Sequence, residues 1–139
     1  MNGRTINDLK IGDKASFSKT ITETDVVNYA GITGDFNPAH INDSYAKDTI
    51  FGGRIAHGML STGLISAVLG TQLPGPGAIY VSQELKFTAP VKINDTITAE
   101  VEVISKDVEK NRVILKTLCI NQNNKKVIIG EAVLMPPKN

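Results

Sequence analysis

Between Arg54 and Glu84 the chain carries no Asp, Glu, Lys or Arg. Inside this window, Ile55 to Leu69 has the length of a helix, and its apolar residues fall on every face rather than along one stripe. A helix of that pattern is either buried on all sides or crosses a membrane. Ser61, Thr62, Gly63 and Ser66 interrupt it, so it never reaches the run of about 18 apolar residues that a crossing requires. The segment is therefore expected to be a buried central helix, and the rest of the chain must build a shell around it.

Strands supply that shell. Ile79 to Thr88 is rich in β-formers and stops at Ala89-Pro90. In Thr96 to Val103, Ile97, Ala99, Val101 and Val103 face one way, and Thr96, Thr98, Glu100 and Glu102 face the other. Such alternation marks an antiparallel sheet with one wet face. Val113 to Ile120 and Lys126 to Leu134 read as two further strands, with turns at Glu109-Lys110-Asn111 and Asn121-Gln122-Asn123-Asn124. Lys14 to Thr20 is a short strand near the start. Thr22 to Ala30 reads as a helix opened by a capping box of Thr22 and Asp25, with Gly31 and Gly34 as stop signals. One apolar helix against a run of antiparallel strands gives an α+β architecture.

Residues Gly34 to His40 read Gly-Asp-Phe-Asn-Pro-Ala-His. Asn37-Pro38 forces a bend, because proline fixes its own φ and pushes the preceding residue out of the α region. The bend sets a carboxylate, Asp35, and an imidazole, His40, on either side. Such a pair can hold one water molecule, the minimum apparatus for acid–base chemistry near neutral pH. A Gly-Asp/Asn-Pro turn with a surface histidine is the plainer account of the same seven residues.

On this stretch the chain resembles the MaoC-like hot-dog family, in particular its single-domain (R)-specific enoyl-CoA hydratases. Gly34 to His40 is similar to the family's hydratase motif, and Asn42 fits the polar position that follows. Phe51 to Leu60 resembles the opening of the central helix, and Tyr80 to Pro90 and Gly130 to Val133 resemble strands that wrap it. The resemblance implies a hot-dog fold over residues 1–139, an antiparallel sheet wrapped around a long central helix. It also implies reversible hydration of trans-2-enoyl-CoA thioesters to (R)-3-hydroxyacyl-CoA, with Asp35 and His40 as the catalytic pair; the alternatives are a 3-hydroxyacyl-carrier-protein dehydratase, an acyl-CoA thioesterase, or an acyl-CoA-binding hot-dog protein without turnover. It further implies side-by-side dimers with the site near the interface.

The chemistry asks for one more group. Addition of water to an unsaturated thioester builds negative charge on the thioester oxygen, which a backbone N–H at a helix N-terminus is suited to meet. Gly58 is the candidate donor. His57 has two readings, a substrate contact and a structural group bonded to nearby backbone, and the chemistry is assigned to His40. The acyl pocket is expected beside the central helix, where Ser61, Thr62, Gly63, Ser66 and Ala67 either leave room for a chain or allow close packing. Asn37 and Phe51 join it, with Val133 as a far wall.

Composition closes off other classes. The chain has 139 residues, enough for one domain with its own core. Lys+Arg 15 against Asp+Glu 14 offers nothing to nucleic acid. Lys106 and the Lys125-Lys126 pair are candidates for the phosphates of CoA or for solvated strand ends. The start of the chain lacks the apolar stretch of a signal peptide. The one cysteine, Cys119, sits in an apolar strand, which rules out an internal disulfide and suits a reducing, cytoplasmic compartment. No Cys/His spacing suggests a metal site and no glycine-rich phosphate loop occurs, since Gly75-Pro76-Gly77 reads as a turn. No cofactor is expected. The tail Pro136-Pro137-Lys138-Asn139 reads as a short frayed end.

Overall fold

Ile97, Ala99, Val101 and Val103 are fully buried along one face of a strand, as their alternation requires. In the computed structural model, which describes residues 2–138, the chain runs β1 (Lys14–Thr20), α1 (Glu23–Thr33), α2 (Pro38–Ile41), α3 (Asp43–Ala46), α4 (Gly58–Thr71), β2 (Ile79–Phe87), β3 (Thr96–Asp107), β4 (Arg112–Ile120) and β5 (Lys126–Met135). The strands form one antiparallel sheet in the order β1-β3-β4-β5-β2. The sheet curls over α4, which lies across β1, β3 and β4. Leu64, Ile65, Val68 and Leu69 of α4 share a core with the inward residues of β3, with Val113, Leu115 and Cys119 of β4 and with Ala132 and Leu134 of β5. This is the hot-dog arrangement.

Two expectations for the central helix are corrected. It begins at Gly58 rather than Ile55, because Ile55 and Ala56 are spent elsewhere. The Ile55 N–H donates to the Ala39 carbonyl at 3.2 Å and the Ala56 N–H to that of Val91 at 2.7 Å. Nor is α4 buried on all sides. Met59, Gly63, Ser66 and Gly70 leave one face open, since the sheet of a single chain covers only the opposite side. That open face consists mostly of residues with little or no side chain.

The first helix follows its sequence closely. Thr22 Oγ1 accepts from the Asp25 N–H at 3.1 Å, and Asp25 Oδ2 accepts from the Thr22 N–H at 2.9 Å, so both halves of the capping box are present. Gly31 continues the helix. Gly34 ends it at φ 79°, a left-handed conformation that suits glycine, and its N–H closes on the Ala30 carbonyl at 2.8 Å. Bonds from Lys19 (2.5 Å) and from Thr22 hold the Asp25 carboxyl below its ordinary titration range. A depressed carboxyl stabilises the fold above its unfolded value of about 3.9, and that stabilisation is lost as pH falls through the lower folded value. Asp25→Asn should thus lower Tm by a few degrees at neutral pH, for about 1 kcal/mol of lost capping. The gap between variant and parent should close below about pH 4, which thermal unfolding across pH will show.

The end of the chain is anchored as far as Pro136, which corrects the frayed tail. Pro136 is buried, and its carbonyl accepts from Asn111 Nδ2 at 2.9 Å. Asn139 lies outside the described residues. Among those described, no helix is long and apolar enough to cross a membrane.

Candidate active site

The bend at Asn37-Pro38 separates α1 from the single turn of α2, and the two catalytic candidates sit on its two arms. Asn37 caps α2, its Oδ1 accepting from the Ala39 N–H at 3.1 Å, so its oxygen serves the bend. Asp35 is exposed just past the end of α1. Its Oδ1 accepts from the Asn37 N–H at 3.2 Å, which leaves the other carboxylate oxygen free of that turn. Asn42 is also a cap, its Oδ1 accepting from the Tyr45 N–H at 3.0 Å at the start of α3.

His40 is 9 % exposed. Its Nδ1 lies 2.7 Å from the Ile55 carbonyl. A carbonyl only accepts, so Nδ1 carries the proton and, in the neutral ring, Nε2 offers a lone pair. His57 is 2 % exposed and its Nε2 donates to the backbone carbonyl of Asp35 at 3.0 Å. Its ring lies against His40, with centroids 3.9 Å apart, and against Tyr29 of α1 at 4.6 Å. His57 therefore ties the Asp35 arm to the start of α4 and backs the His40 ring. The reading of His57 as a group bonded to nearby backbone describes this geometry.

One ligand atom from each of Asp35, His40 and His57 lies within 4.8 Å of the others. Two imidazoles and a carboxylate are a donor set for a cation, but His57 Nε2 is already given to the Asp35 carbonyl, which leaves only Asp35 and His40 for such a role. The same spacing between Asp35 and His40 fits one water molecule.

A cavity of about 520 Å³ opens beside His40. Phe51, Ile55, Ala56, Gly58 and Met59 form one side, and Phe87 to Val91 with Val127 and Ile128 form the other. Of the expected pocket residues, Phe51 and Gly58 line this space. Thr62 is buried with its hydroxyl donating to the Gly58 carbonyl at 3.1 Å, while Gly63 and Ser66 sit on the open face of α4. Val133 lies on the opposite face of β5 from the buried Ala132 and Leu134.

Gly58 is the first residue of α4, and His57 in the capping position makes no side-chain cap bond. The first amides of a helix have few partners within it; the Leu60 N–H turns back to the His57 carbonyl at 3.1 Å, and those of Gly58 and Met59, which line the cavity, remain for an acceptor. Why glycine stands here is visible in Phe87. A Cβ on Gly58 would lie 2.6 Å from Phe87 Cε1 and 2.7 Å from Cδ1. The ring closes over the backbone beside the free amides. In Gly58→Ala the Phe87 ring, which is half exposed, must swing off the new methyl, and where that shifts the first turn of α4 by about 1 Å the cost can reach on the order of 10²-fold in turnover. Steady-state kinetics alongside thermal unfolding will separate that loss from a general loss of fold.

Arg54 was not legible in the sequence, and Lys106, read there as a group for CoA phosphates or a solvated strand end, is neither. Lys106 donates to the Ile6 and Leu9 carbonyls at 3.0 and 2.7 Å, so it secures the N-terminal segment. Arg54 donates through Nε to the His40 carbonyl at 2.6 Å. Its signal in the sequence was its isolation, as the last charge before the uncharged window.

Comparison with known proteins agrees with this geometry. The chain is 57% identical over 130 residues to an (R)-specific enoyl-CoA hydratase of Rhodospirillum rubrum, covering 94% of this chain and 90% of that protein. It is 48% identical to a 3-hydroxybutyryl-CoA dehydratase of Methylorubrum extorquens, covering 94% of this chain and 83% of that one. The R-hydratase PhaJ1 from Pseudomonas aeruginosa, in its unliganded form, superposes with a TM-score of 0.93 at 46% identity, covering 99% of this chain and 88% of that one. Residues 7–123 match the MaoC like domain, and the chain belongs to that family.

Proposed function

We propose that the protein is an (R)-specific enoyl-CoA hydratase, adding water to trans-2-enoyl-CoA to give (R)-3-hydroxyacyl-CoA and catalysing the reverse dehydration. The observation that carries this reading is an apolar cavity lined by His40 and by the uncapped start of α4, with the exposed Asp35 carboxylate within 4.8 Å of the His40 ring. The named activities of the relatives support the substrate class and the hand of the product.

Water sits between the Asp35 carboxylate and Nε2 of His40, which the bond from Nδ1 to Ile55 leaves facing the site. Its oxygen bonds to C3 as one O–H proton passes to the pair, and C2 takes one proton from the pair on the same face. The carbon–carbon double bond becomes single and the pair ends each turn with the protons it began with. Charge gathers on the thioester oxygen meanwhile, where the amides at Gly58 and Met59 answer it. One such donor is worth about 3 kcal/mol of transition-state stabilisation.

The acyl chain occupies the cavity between Phe51 and the Phe87–Val91 wall. The Thr88 hydroxyl donates to the Lys126 carbonyl at 2.8 Å, and the exposed Lys125-Lys126 pair, just before the lining residue Val127, is the contact proposed for the CoA phosphates. The reaction needs no metal or other cofactor, since the pair and the amides account for every proton and charge. Turnover should accordingly be unchanged after exhaustive treatment with a chelator, as a rate assay will check.

The working form is a homodimer in the cytoplasm. Edge strand β2 exposes Ile79 and Val81, and the open face of α4 exposes Met59; such edges are usually paired or covered. Light scattering tests the dimer.

Hydration of crotonyl-CoA, read by loss of enoyl absorbance and by chiral analysis of the product, tests the activity. (R)-3-hydroxybutyryl-CoA without free thiol is the expected result. Thiol release would make the protein a thioesterase and give Asp35 a different role. Turnover of carrier-protein thioesters alone would make it a fatty-acyl dehydratase.

A further inference from the structure

The Arg54 side chain is 8 % exposed, although it carries a full charge. A guanidinium withdrawn from water is costly unless its donors are met. Arg54 is met by groups from both arms of the site. Nε donates to the His40 carbonyl at 2.6 Å, and Nη1 reaches Glu23 Oε1 at 2.6 Å and Asp43 Oδ1 at 3.8 Å. The His40 carbonyl lies in the last turn of α2, where helical carbonyls lack partners within the helix.

The neighbouring residue completes a clasp. The Ile55 N–H donates to the Ala39 carbonyl at 3.2 Å, and His40 Nδ1 donates to the Ile55 carbonyl at 2.7 Å. Residues 54 and 55 thus hold residues 39 and 40 by three hydrogen bonds, which fix the backbone and the ring of His40 together. Glu23 is the first residue of α1, and the far end of that helix leads through Gly34 to Asp35. One guanidinium therefore links the turn bearing His40 to the helix that delivers Asp35.

We propose that Arg54 is a positioning residue for the hydration reaction, holding the His40 backbone so that Nε2 faces Asp35 across one water. It acts through His40, and the proposal rests on the hydratase reading above. Lysine cannot replace it fully. A single ammonium lacks the planar fork that spans a carbonyl and a carboxylate at once.

The test compares Arg54→Met, Arg54→Lys and Glu23→Gln with the parent in the full chain. The readouts are kcat and KM for crotonyl-CoA per folded molecule, thermal unfolding, and the ¹⁵N resonances of the His40 ring. Arg54→Met should lower kcat by about 10²-fold, the scale of a misplaced catalytic group, with KM little changed. Arg54→Lys should recover part of that loss, and Glu23→Gln should lose less. The His40 ring should give up its single Nδ1–H tautomer in Arg54→Met. Parent-like kcat per folded molecule with an unaltered His40 ring would make Arg54 a purely structural group and overturn the proposal. Should Arg54→Met not fold, parent-like kcat in both milder variants overturns it equally. If the parent itself does not hydrate enoyl-CoA, the hydratase reading fails, and the ring resonances still decide: retention of the tautomer refutes the clamp and its loss supports it.

Discussion

Asp35→Asn and His40→Gln should each lower turnover by about two to four orders of magnitude, the span expected of a positioned acid–base group. The Asp35 change is the cleaner of the two. Asparagine keeps an oxygen for the Asn37 N–H and the backbone carbonyl that His57 holds, so the bend survives while the carboxylate is lost. Glutamine at position 40 removes the ring bonded to Ile55 and stacked on His57, and its unfolding temperature should fall somewhat further. Initial rates with crotonyl-CoA beside thermal unfolding and circular dichroism will measure both effects. Parent-like turnover in both variants would remove the pair from the mechanism.

The largest effect on stability is expected at Gly130. A Cβ there would stand 1.9 Å from the Glu84 carbonyl oxygen and 3.0 Å from its carbon. These are backbone atoms of the neighbouring strand, so no rotamer change relieves the contact. Gly130 pairs with Leu85 in the register between β5 and β2, and β2 would have to lift away along that stretch. Gly130→Ala should cost about 3 kcal/mol, the upper part of the range for overpacking, or roughly 10 °C in Tm. β2 also carries Phe87 to the cavity, so turnover should fall with stability. A calorimetric scan that shows no destabilisation would mean the two strands separate more easily than their register indicates.

What the sequence made legible follows from how local each signal is. The capping box of α1 depends on two residues three apart, and the β3 alternation on nearest neighbours; both are found as expected. The extent of α4 was not local. Ile55 and Ala56 are apolar enough to extend the helix, but their amides answer carbonyls of Ala39 and Val91, which no pattern within residues 55–69 reveals. The open face of α4 was hidden for a related reason, since glycine, serine and alanine are neutral about which side they turn to water.

The site divides in the same way. Asp35 and His40 stood out because a forced bend put two titratable side chains close in sequence. Arg54 did not, because its role lies in a backbone carbonyl on another segment, and a carbonyl leaves no mark in the sequence. The reason for glycine at position 58 was similarly out of sight, since the Phe87 ring over it arrives from a distant strand.

Asp35, His40 and the uncapped start of α4 come from residues 35–59, whereas much of the cavity's apolar lining comes from residues 87–91 and 127–128. Distant positions with no shared partners tend to vary independently. Exchanges at the half-buried Ala89 should therefore reshape the cavity with less effect on the Asp35 and His40 arms than exchanges at Phe87, whose ring lies against Gly58. On this plan one part of the cavity can be re-cut while the bend that carries Asp35 and His40 is left standing.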